Sequence, residues 1–590
     1  MVIKKNTINI IIAGNSGHGI QLMGNLLANT ATYMGNYIST FSYFPSEIRI
    51  PYDTIEGISG FKITISNSNI LDYCELCDIL IAMNSISFNK YLHKVKKGGI
   101  IIIDYNGFKS KNLDHIKHNI TLYKVNTYIN MYKLIKKYNL KIKDIHNNNM
   151  YILGFLYWIC NYTLNNTKKY LIQKFNEKNL LNFNIESLNN GFFLEKNNHS
   201  IINRFIIKSN NKIFKSKTIN GNQALALGLI MGSKKANIDI FYAGYPITPA
   251  SNIFYYLSKY KSNIKIFQSE DEISAITSAI GASYAGSLGI TGTSGPGMSL
   301  KQEALGLAAI IEIPLIIINI QRVGPSTGLP TKNEQSDLLQ ALYGRHGEAP
   351  IPILASKYPN NCFKIAFEAV KIAIEYMTPV IILSDSYIAN SYQLWNPIKE
   401  KNLKSIYKNN NITNFYPYQR DERGVRPWII PGMIKYEHCT GSLEKENLTG
   451  KISYNGINHQ QMVNLRHSKI NNIINYIPKQ KIEIGKNKGK LLILSWGSTY
   501  NIIYTAMTKL LKFNYSVSYS HLEYLYPFPR GIKNILSNFK FILIPELNNG
   551  QLIKLIRYKF LIDAIPLNKI QGTPFTVSEI IEKVDLILNK

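Results

Sequence analysis

The sequence predicts an α/β protein composed of three α/β domains. Short apolar runs alternate with longer amphipathic segments along most of the chain, which is the strand and helix alternation of this class. The apolar runs are continuous, as in Ile79–Ala82 and Leu315–Ile320, and such runs are typical of parallel strands buried on both faces. Loops rich in glycine, proline and polar residues follow these runs. In an open parallel sheet such loops lie along one edge, where ligands bind.

The first domain is predicted at residues 1–190 and begins with a glycine-rich loop between a strand and a helix. Strand Ile8–Ala13 leads into Gly14, Gly17 and Gly19, and the helix that follows extends to about residue 34. Glycines allow the backbone to approach a phosphate, and the start of a helix supplies N–H donors. The spacing is neither that of a dinucleotide-binding loop nor that of a Walker loop, so a tight turn without a ligand remains an equal alternative.

The remaining boundaries follow from changes in composition. Residues 191–217 are mixed, with polar ends that carry lysines, and are predicted to be a linker. A second α/β block is predicted at residues 218–395. Residues 396–485 are rich in proline and tyrosine and are expected to be irregular, and a last α/β block is predicted at residues 486–590.

Three candidate site residues follow strands of the second block. Pro246 and Pro249 enclose Thr248 directly after a strand, and proline restricts both its own backbone and that of the residue before it. Glu270 ends the next strand, and Arg322 follows the longest apolar strand, where a guanidinium is suited to bind a carboxylate with two hydrogen bonds. We therefore expect Thr248, Glu270 and Arg322 at one edge of the sheet.

Each of these residues also has a simpler explanation. The Thr248 segment resembles a rigid turn, Arg322 could be a surface arginine, and Glu270 could cap the helix that follows it. Asp271 and Glu272 fit the capping role better than Glu270, because they lie one and two positions further into that helix.

The composition excludes several classes of protein. The chain has 590 residues with 67 Lys and Arg against 37 Asp and Glu, a formal charge of +30. The lysines are scattered, so we expect a compositional bias rather than a nucleic-acid partner. The five cysteines rule out a disulfide framework and offer no ligand set for a metal or an iron–sulfur cluster, and the pair at Cys74 and Cys77 is interpreted as structural. No apolar run reaches the roughly 18 residues of a membrane span, and no signal peptide is recognised, so we expect a cytoplasmic protein without a membrane partner.

From Gly221 to about Asp385 the chain resembles the α subunit of 2-oxoacid:ferredoxin oxidoreductases. The matching motifs are Tyr-Pro-Ile-Thr-Pro-Ala-Ser at 245–251, Gln-Ser-Glu-Asp-Glu at 268–272, Thr-Ser-Gly-Pro-Gly at 293–297 and Gln-Arg at 321–322. Residues 1–190 look like the γ domain of this family, and residues 486–590 look like its transketolase C-terminal-like domain. This order of domains is most similar to that of the 2-oxoglutarate-type enzymes.

The resemblance implies roles for the candidate residues. By this resemblance the second block is a pyrimidine-type domain, which binds thiamine diphosphate. Glu270 would then hydrogen-bond the aminopyrimidine ring of the cofactor. Thr248 and Arg322 would lie near the substrate carboxylate. The γ domain is expected to face coenzyme A, with Gly14, Gly17 and Gly19 as the possible contacts. Two residues of that loop depart from the family pattern. Serine stands at position 16 where the family usually has glycine, and histidine stands at position 18 where it usually has glutamine.

The resemblance also implies a partner and a reaction. The chain lacks the Gly-Asp-Gly motif of a Mg²⁺-diphosphate site. A β subunit is therefore expected to supply Mg²⁺ and an iron–sulfur cluster, in a dimer of heterodimers that is inactive without it. The implied reaction converts 2-oxoglutarate and coenzyme A to succinyl-coenzyme A and CO₂ and reduces ferredoxin. The alternatives are pyruvate or a branched-chain 2-oxoacid as substrate, and, from another class, a basic nucleic-acid-binding protein or a scaffold without chemistry.

Overall fold

The chain folds into two compact units in a computed structural model that describes residues 2–45, 57–71, 75–108, 119–141, 149–194, 204–260, 263–409 and 416–589. One unit contains Met1–Ile219 and Ser391–Asn396, and the other contains Asn220–Asn390 and Pro397–Lys590.

The strands of both units have these bounds in chain order. They are β1 Val2–Lys5, β2 Thr7–Asn15, β3 Tyr37–Tyr43, β4 Ile58–Ser66, β5 Cys77–Ala82, β6 Val95–Asp104, β7 Thr121–Val125, β8 Arg204–Ile207, β9 Lys217–Asn220, β10 Ile240–Gly244, β11 Ile264–Gln268, β12 Leu288–Thr293, β13 Leu315–Gln321, β14 Ile353–Ala355, β15 Pro379–Asp385, β16 Tyr392–Trp395, β17 Gly489–Trp496, β18 Val517–Leu522, β19 Tyr524–Tyr526, β20 Phe539–Glu546 and β21 Ile565–Asn568.

The α-helices alternate with these strands. They are α1 Ile20–Tyr33, α2 Ser85–Tyr91, α3 Thr127–Tyr138, α4 Asn149–Ile159, α5 Asn165–Lys174, α6 Lys178–Phe192, α7 Gly221–Ala236, α8 Ser251–Leu257, α9 Glu272–Tyr284, α10 Gly295–Leu300, α11 Gln302–Ile310, α12 Leu338–Tyr343, α13 Asn361–Tyr376, α14 Ser386–Asn390, α15 Gly456–Asn472, α16 Tyr500–Lys512, α17 Ile532–Ser537, α18 Gln551–Phe560 and α19 Val577–Leu588.

The first unit is built on an eight-stranded sheet with the order β7-β6-β5-β2-β4-β3-β16-β9. Strands β2, β5, β6 and β7 are parallel, whereas β4 runs antiparallel to β2 and to β3. Isoleucine and leucine side chains of these strands are buried, because helices and loops cover both faces of the parallel part.

Two segments of the first unit differ from the sequence-based boundaries. The stretch 191–217, predicted to be a linker, contains β8, which pairs with β1, and the first residue of β9. Strand β16, which falls at the end of the predicted second block, pairs with β3 of the first unit through Gln393 and Ser39. Both strands are only four residues long, too short to produce a recognisable pattern in the sequence.

The second unit contains two sheets that share one hydrophobic core. The seven-stranded sheet has the order β11-β10-β12-β13-β15-β14-β19, and the four-stranded sheet has the order β18-β17-β20-β21. Strands of both sheets are parallel except for β19, which runs antiparallel to β14. Buried residues from both sheets belong to one continuous cluster, from Ala243 to Ala564. The predicted second and last α/β blocks are therefore packed together in one unit.

The region 396–485, predicted to be irregular, contains the 17-residue helix α15. Asn455 caps this helix by accepting hydrogen bonds from the amides of residues 457 and 458. Its buried face combines Met462 and Ile470 with the charged Arg466 and Lys469. A buried face that is half charged does not give the apolar periodicity by which helices are recognised, so the prediction was wrong here.

Within the described ranges, no helix combines the length and the hydropathy that a membrane span requires.

Candidate active site

Four loops of the second unit meet at one edge of its seven-stranded sheet. Strands β11, β10, β12 and β13 are adjacent and parallel, and their register aligns Gly244 with Gln268 and Thr293 with Asn319. Because parallel strands end at the same edge, the segments that follow them lie side by side. These segments are 245–249, 269–272, 294–297 and 322–325.

The structure brings Arg322 and Thr248 into direct contact. Nη1 of Arg322 donates a hydrogen bond to the carbonyl oxygen of Thr248 at 2.7 Å, although the two residues are separated by 74 positions in the chain. Arg322 is only 7% exposed, and its Nε is buried without a hydrogen-bond partner among the described residues. Burial lowers the pKa of the guanidinium, and the carboxylates of Glu272 and Asp337 counteract this effect. Arg322 is therefore a buried cation with unused donors, and not a surface arginine.

Glu270 lies at the same edge in a different environment. The amide of Ser269 donates to the carbonyl of Gly244 at 3.0 Å, which places Glu270 beside the start of the 245–249 loop. The side chain of Glu270 is exposed, and within the described ranges its carboxylate has no hydrogen-bond partner. Asp271 is the N-cap of α9 and accepts a hydrogen bond from the amide of Ser274 at 2.6 Å, so its predicted capping role is confirmed.

The arrangement at Glu270 fits one part of thiamine diphosphate. An exposed carboxylate without a partner, on the binding edge of a parallel sheet, is a suitable acceptor for a ring nitrogen that carries a proton. In the part of the chain that the structure describes, no group of three or more His, Cys, Asp or Glu residues is placed to hold a metal ion. The carboxylate of Glu270 thus fits the pyrimidine of the cofactor.

Sequence reasoning missed two buried charged residues of this edge. Lys301 has no exposed surface, and its Nζ donates to the carbonyl oxygen of Glu272 at 2.5 Å. Burial lowers the pKa of Lys301 to about 8, against the opposing effect of the Glu272 carboxylate. Asp337 is 7% exposed and accepts a hydrogen bond from Nδ2 of Asn319 at 2.9 Å, and its burial raises the pKa of the carboxyl group. No local sequence signal marks either residue, since a charge in an amphipathic segment usually faces solvent.

A pocket of about 730 Å³ opens beside Arg322. Its walls combine Arg322, Glu334 and Asp337 with Asn548 and Gln551 of the last α/β block. Burial raises the pKa of Glu334, whose Oε2 accepts a hydrogen bond from the amide of residue 324 at 3.2 Å. The pocket is large enough for a small organic acid.

The last α/β block also holds the loop that follows Arg322. Nε2 of Gln335 donates to the carbonyl of Trp496 at 2.7 Å, and Oε1 of Gln335 accepts from the amide of Leu547 at 2.9 Å. The amide of Gln335 donates to the carbonyl of Leu547 at 3.0 Å. These bonds fix one end of the loop, because Gln335 is fully buried and uses both its side chain and its main chain.

The three glycines of the first unit differ in their surroundings. A Cβ atom on Gly14 would lie 2.8 Å from Cβ of Met83, and one on Gly19, at φ +68°, would lie 1.9 Å from Nδ2 of Asn149. A Cβ atom on Gly17, at φ +93°, would meet nothing within 4 Å. Close packing therefore accounts for Gly14 and Gly19, whereas no described atom crowds a Cβ atom at Gly17.

The cysteine pair of the first unit is only partly described. Cys77 is fully buried in β5, in agreement with a structural role, and Cys74 lies outside the described residues.

Two family descriptions match the chain. Residues 9–193 match the pyruvate ferredoxin/flavodoxin oxidoreductase domain. Residues 231–451 match the thiamine-diphosphate-binding domain of pyruvate flavodoxin/ferredoxin oxidoreductases. These matches cover the glycine loop of the first unit and the sheet edge with Thr248, Glu270 and Arg322.

Curated relatives and a solved structure extend the similarity to the whole chain. The 2-oxoglutarate oxidoreductase subunit KorA of Mycobacterium tuberculosis is 38% identical over 97% of this chain and 90% of its own length. The 2-oxoglutarate synthase subunit KorA of Archaeoglobus fulgidus is 32% identical over 57% of this chain and 89% of its own length. The structure of a 2-oxoglutarate:ferredoxin oxidoreductase from Magnetococcus marinus, with 2-oxoglutarate, coenzyme A and succinyl-CoA bound, superimposes with a TM-score of 0.87 at 30% identity. It covers 99% of this chain and 100% of the matched chain.

These two proteins share 38% and 30% sequence identity with this chain over nearly its full length. This similarity shows that they belong to one family, and it confirms the resemblance that the sequence motifs indicated. The chain therefore belongs to the 2-oxoacid:ferredoxin oxidoreductases, as an α subunit of the 2-oxoglutarate type with a γ domain fused at its N-terminus.

Proposed function

We propose that this chain is the α subunit of an enzyme that oxidatively decarboxylates 2-oxoglutarate. The reaction consumes 2-oxoglutarate, coenzyme A and two oxidised ferredoxins, and it yields succinyl-coenzyme A, CO₂, a proton and two reduced ferredoxins. The observation that carries the proposal is the contact between Arg322 and the Thr248 loop, at the sheet edge where Glu270 is exposed and has no hydrogen-bond partner among the described residues.

Arg322 is proposed to bind the carboxylate next to the keto group of the substrate. A guanidinium has five N–H donors, and only one of those of Arg322 donates to a described residue, at Thr248. A carboxylate can accept two of the others in a bidentate arrangement. Since Arg322 is buried, the contact is screened little by water. The hydroxyl of Thr248, on an exposed residue of the same loop, is proposed as a second donor.

Glu270 is proposed to hold the aminopyrimidine ring of thiamine diphosphate. When bound, this cofactor accepts the electron pair that decarboxylation releases. The Glu270 carboxylate would accept a hydrogen bond from the protonated ring nitrogen and would stabilise that charge. Asp271 cannot take this role, because its carboxylate already caps α9.

The glycine loop of the first unit is proposed to contact coenzyme A. Of the three glycines, Gly17 is the one at which a Cβ atom would meet no described atom within 4 Å, which supports the approach of a ligand phosphate to this turn. The amide of Asn15 donates to Nδ1 of His18 at 3.3 Å, which gives the histidine a role in shaping this turn.

A β subunit is proposed to complete the site with Mg²⁺, the diphosphate contacts and an iron–sulfur cluster. The electrons are expected to leave one at a time through that cluster to ferredoxin. The proposed assembly is a cytoplasmic dimer of heterodimers. Support comes from the five dispersed cysteines and the missing Gly-Asp-Gly motif of this chain.

The test is to co-express the chain with its partner and assay the purified complex. Reduction of ferredoxin should require 2-oxoglutarate and coenzyme A together, with lower kcat/KM on pyruvate and on 2-oxoisovalerate. The isolated chain should bind thiamine diphosphate weakly by calorimetry even with Mg²⁺. A complex that prefers pyruvate, or tight binding of the cofactor by the chain alone, would contradict the proposal.

A further inference from the structure

A glutamine of the last α/β block holds the loop that carries Arg322. Nε2 of Gln551 donates a hydrogen bond to the main-chain carbonyl of Ser336 at 2.6 Å, and its Oε1 accepts one from the amide of Leu339 at 3.0 Å. The two ends of this amide group therefore hold the main chain where the loop 322–337 enters helix α12. Gln551 lies 215 positions after Ser336, so the tertiary fold brings the two residues together.

The position of Gln551 is itself fixed by its neighbours. Its amide donates to Oδ1 of Asn548 at 2.9 Å, and Nδ2 of Asn548 donates to the main-chain carbonyl of Gln335 at 2.8 Å. Gln551 opens helix α18, and the next two amides of that helix donate to the buried carboxylate of Glu546 at 2.7 and 3.1 Å. The segment 546–551 is thus a firm support against which the loop is held.

Ser336 connects this support to Arg322. Its Oγ donates a hydrogen bond to the main-chain carbonyl of Arg322 at 3.1 Å. Strand β13 ends at Gln321, so Arg322 is the first residue beyond the strand. From there its guanidinium reaches the carbonyl of Thr248 at 2.7 Å. Hydrogen bonds thus run without a break from Gln551 to the Thr248 loop, along a wall of the pocket of about 730 Å³.

We propose that Gln551 is a positioning residue for substrate binding, which keeps the main chain of Arg322 in place through Ser336. The last α/β block thereby takes part in recognition of the 2-oxoacid carboxylate. A guanidinium must face a carboxylate in one plane to donate two hydrogen bonds, so a shift of the main chain that carries it weakens the contact. This inference rests on the proposed function, which makes Arg322 the carboxylate-binding residue.

The test uses the assembled α and β complex and compares two half-buried glutamines. Gln551→Met keeps the length of the side chain and removes both of its hydrogen bonds. Gln480→Met is the matched control, because Nε2 of Gln480 donates to Oγ of Ser520 and to the carbonyl of His521, both at 2.8 Å, and not to the loop 322–337. We expect Gln551→Met to raise the KM for 2-oxoglutarate about three- to tenfold, the factor that one hydrogen bond contributes. The value of kcat and the KM for coenzyme A should stay within twofold of those of the unsubstituted complex, and Gln480→Met should leave all three values unchanged.

Two further variants separate positioning from a loss of stability. Ser336→Ala removes the single oxygen atom that donates to the Arg322 carbonyl, and it should raise the KM for 2-oxoglutarate by a similar factor. In the Arg322→Ala background, Gln551→Met should have no further effect on that KM, since the two residues act through one contact. The Tm of each complex, measured beside its kinetics, reports the stability of the fold separately.

Three results would overturn the inference. A KM for 2-oxoglutarate within twofold of the unsubstituted value in the folded Gln551→Met or Ser336→Ala complex, while Arg322→Ala raises it, would exclude the positioning role and leave the proposed function intact. An equal rise of this KM in Gln480→Met would assign the effect to a general loss of stability. Failure of Arg322→Ala to raise the KM would refute the proposed role of Arg322 and this inference together.

Discussion

Replacing Arg322 by alanine should weaken use of 2-oxoglutarate without dissociating the complex. The side chain is 7% exposed and donates one hydrogen bond, at 2.7 Å, to the Thr248 carbonyl. A hydrogen bond from a charged donor to a bound carboxylate contributes about 1.5–3 kcal/mol. Because a factor of ten corresponds to about 1.4 kcal/mol, kcat/KM should fall by about one to two orders of magnitude.

Arg322→Lys should recover only part of this loss. Lysine keeps the charge, but its ammonium lacks the planar pair of donors that matches a carboxylate. The assay is steady-state reduction of ferredoxin by the complex at several concentrations of 2-oxoglutarate, with the coenzyme A concentration saturating.

Arg530→Ala provides the matched control, because this arginine is exposed and donates only a 3.4 Å hydrogen bond to a carbonyl oxygen. It should keep the kcat/KM of the unsubstituted complex. Thermal unfolding of each variant separates a binding effect from loss of the fold. If the folded Arg322→Ala complex keeps its kcat/KM, the assignment of Arg322 to the substrate carboxylate is refuted.

Three further predictions concern other parts of the chain. Glu270→Gln should slow proton exchange at carbon 2 of the bound thiamine by about ten- to a hundredfold, as measured by NMR of deuterium uptake. If the Glu270→Gln complex exchanges this proton as fast as the Asp271→Asn complex, Glu270 is only a residue at the start of the helix. Gly17→Asn adds a side chain where a Cβ atom would meet no described atom within 4 Å, so the KM for coenzyme A should rise in a folded complex. Gly19→Val should instead lower the Tm, because its Cβ would lie 1.9 Å from the side-chain amide nitrogen of Asn149. An unchanged KM for coenzyme A in Gly17→Asn would argue against a role of this loop in coenzyme A binding. Burial raises the pKa of Asp385 from 3.8 to about 6, so the folded chain retains a proton there that the unfolded chain releases. The stability contributed by this group should therefore be present below pH 3.8 and decline by about 3 kcal/mol as the pH rises through 6. If the free energy of unfolding of Asp385→Asn depends on pH in the same way as that of the unsubstituted chain, this expectation is wrong.

Buried charges show why part of the candidate site was not predictable. The capping role of Asp271 was expected from its position, and the structure confirms it. Glu272, one residue later, was also expected to suit a capping role, but it is only 8% exposed, and its main-chain carbonyl accepts a hydrogen bond from the buried Lys301. Lys301 lies 29 positions further along the chain, and no local pattern reports its proximity in space.

The sequence by itself determined the fold class and the edge at which the site residues would lie. Continuous apolar strands specify a parallel sheet, and parallel strands place the loops after them on one side, so Thr248, Glu270 and Arg322 were expected together. The tertiary structure decided which groups meet there. Nη1 of Arg322 donates to the main-chain carbonyl of Thr248, and the buried Lys301 and Asp337 lie at the same edge. The physical reason is that strand formation depends on local hydrophobic pattern, whereas the burial of a charge depends on compensating charges and space contributed by distant segments.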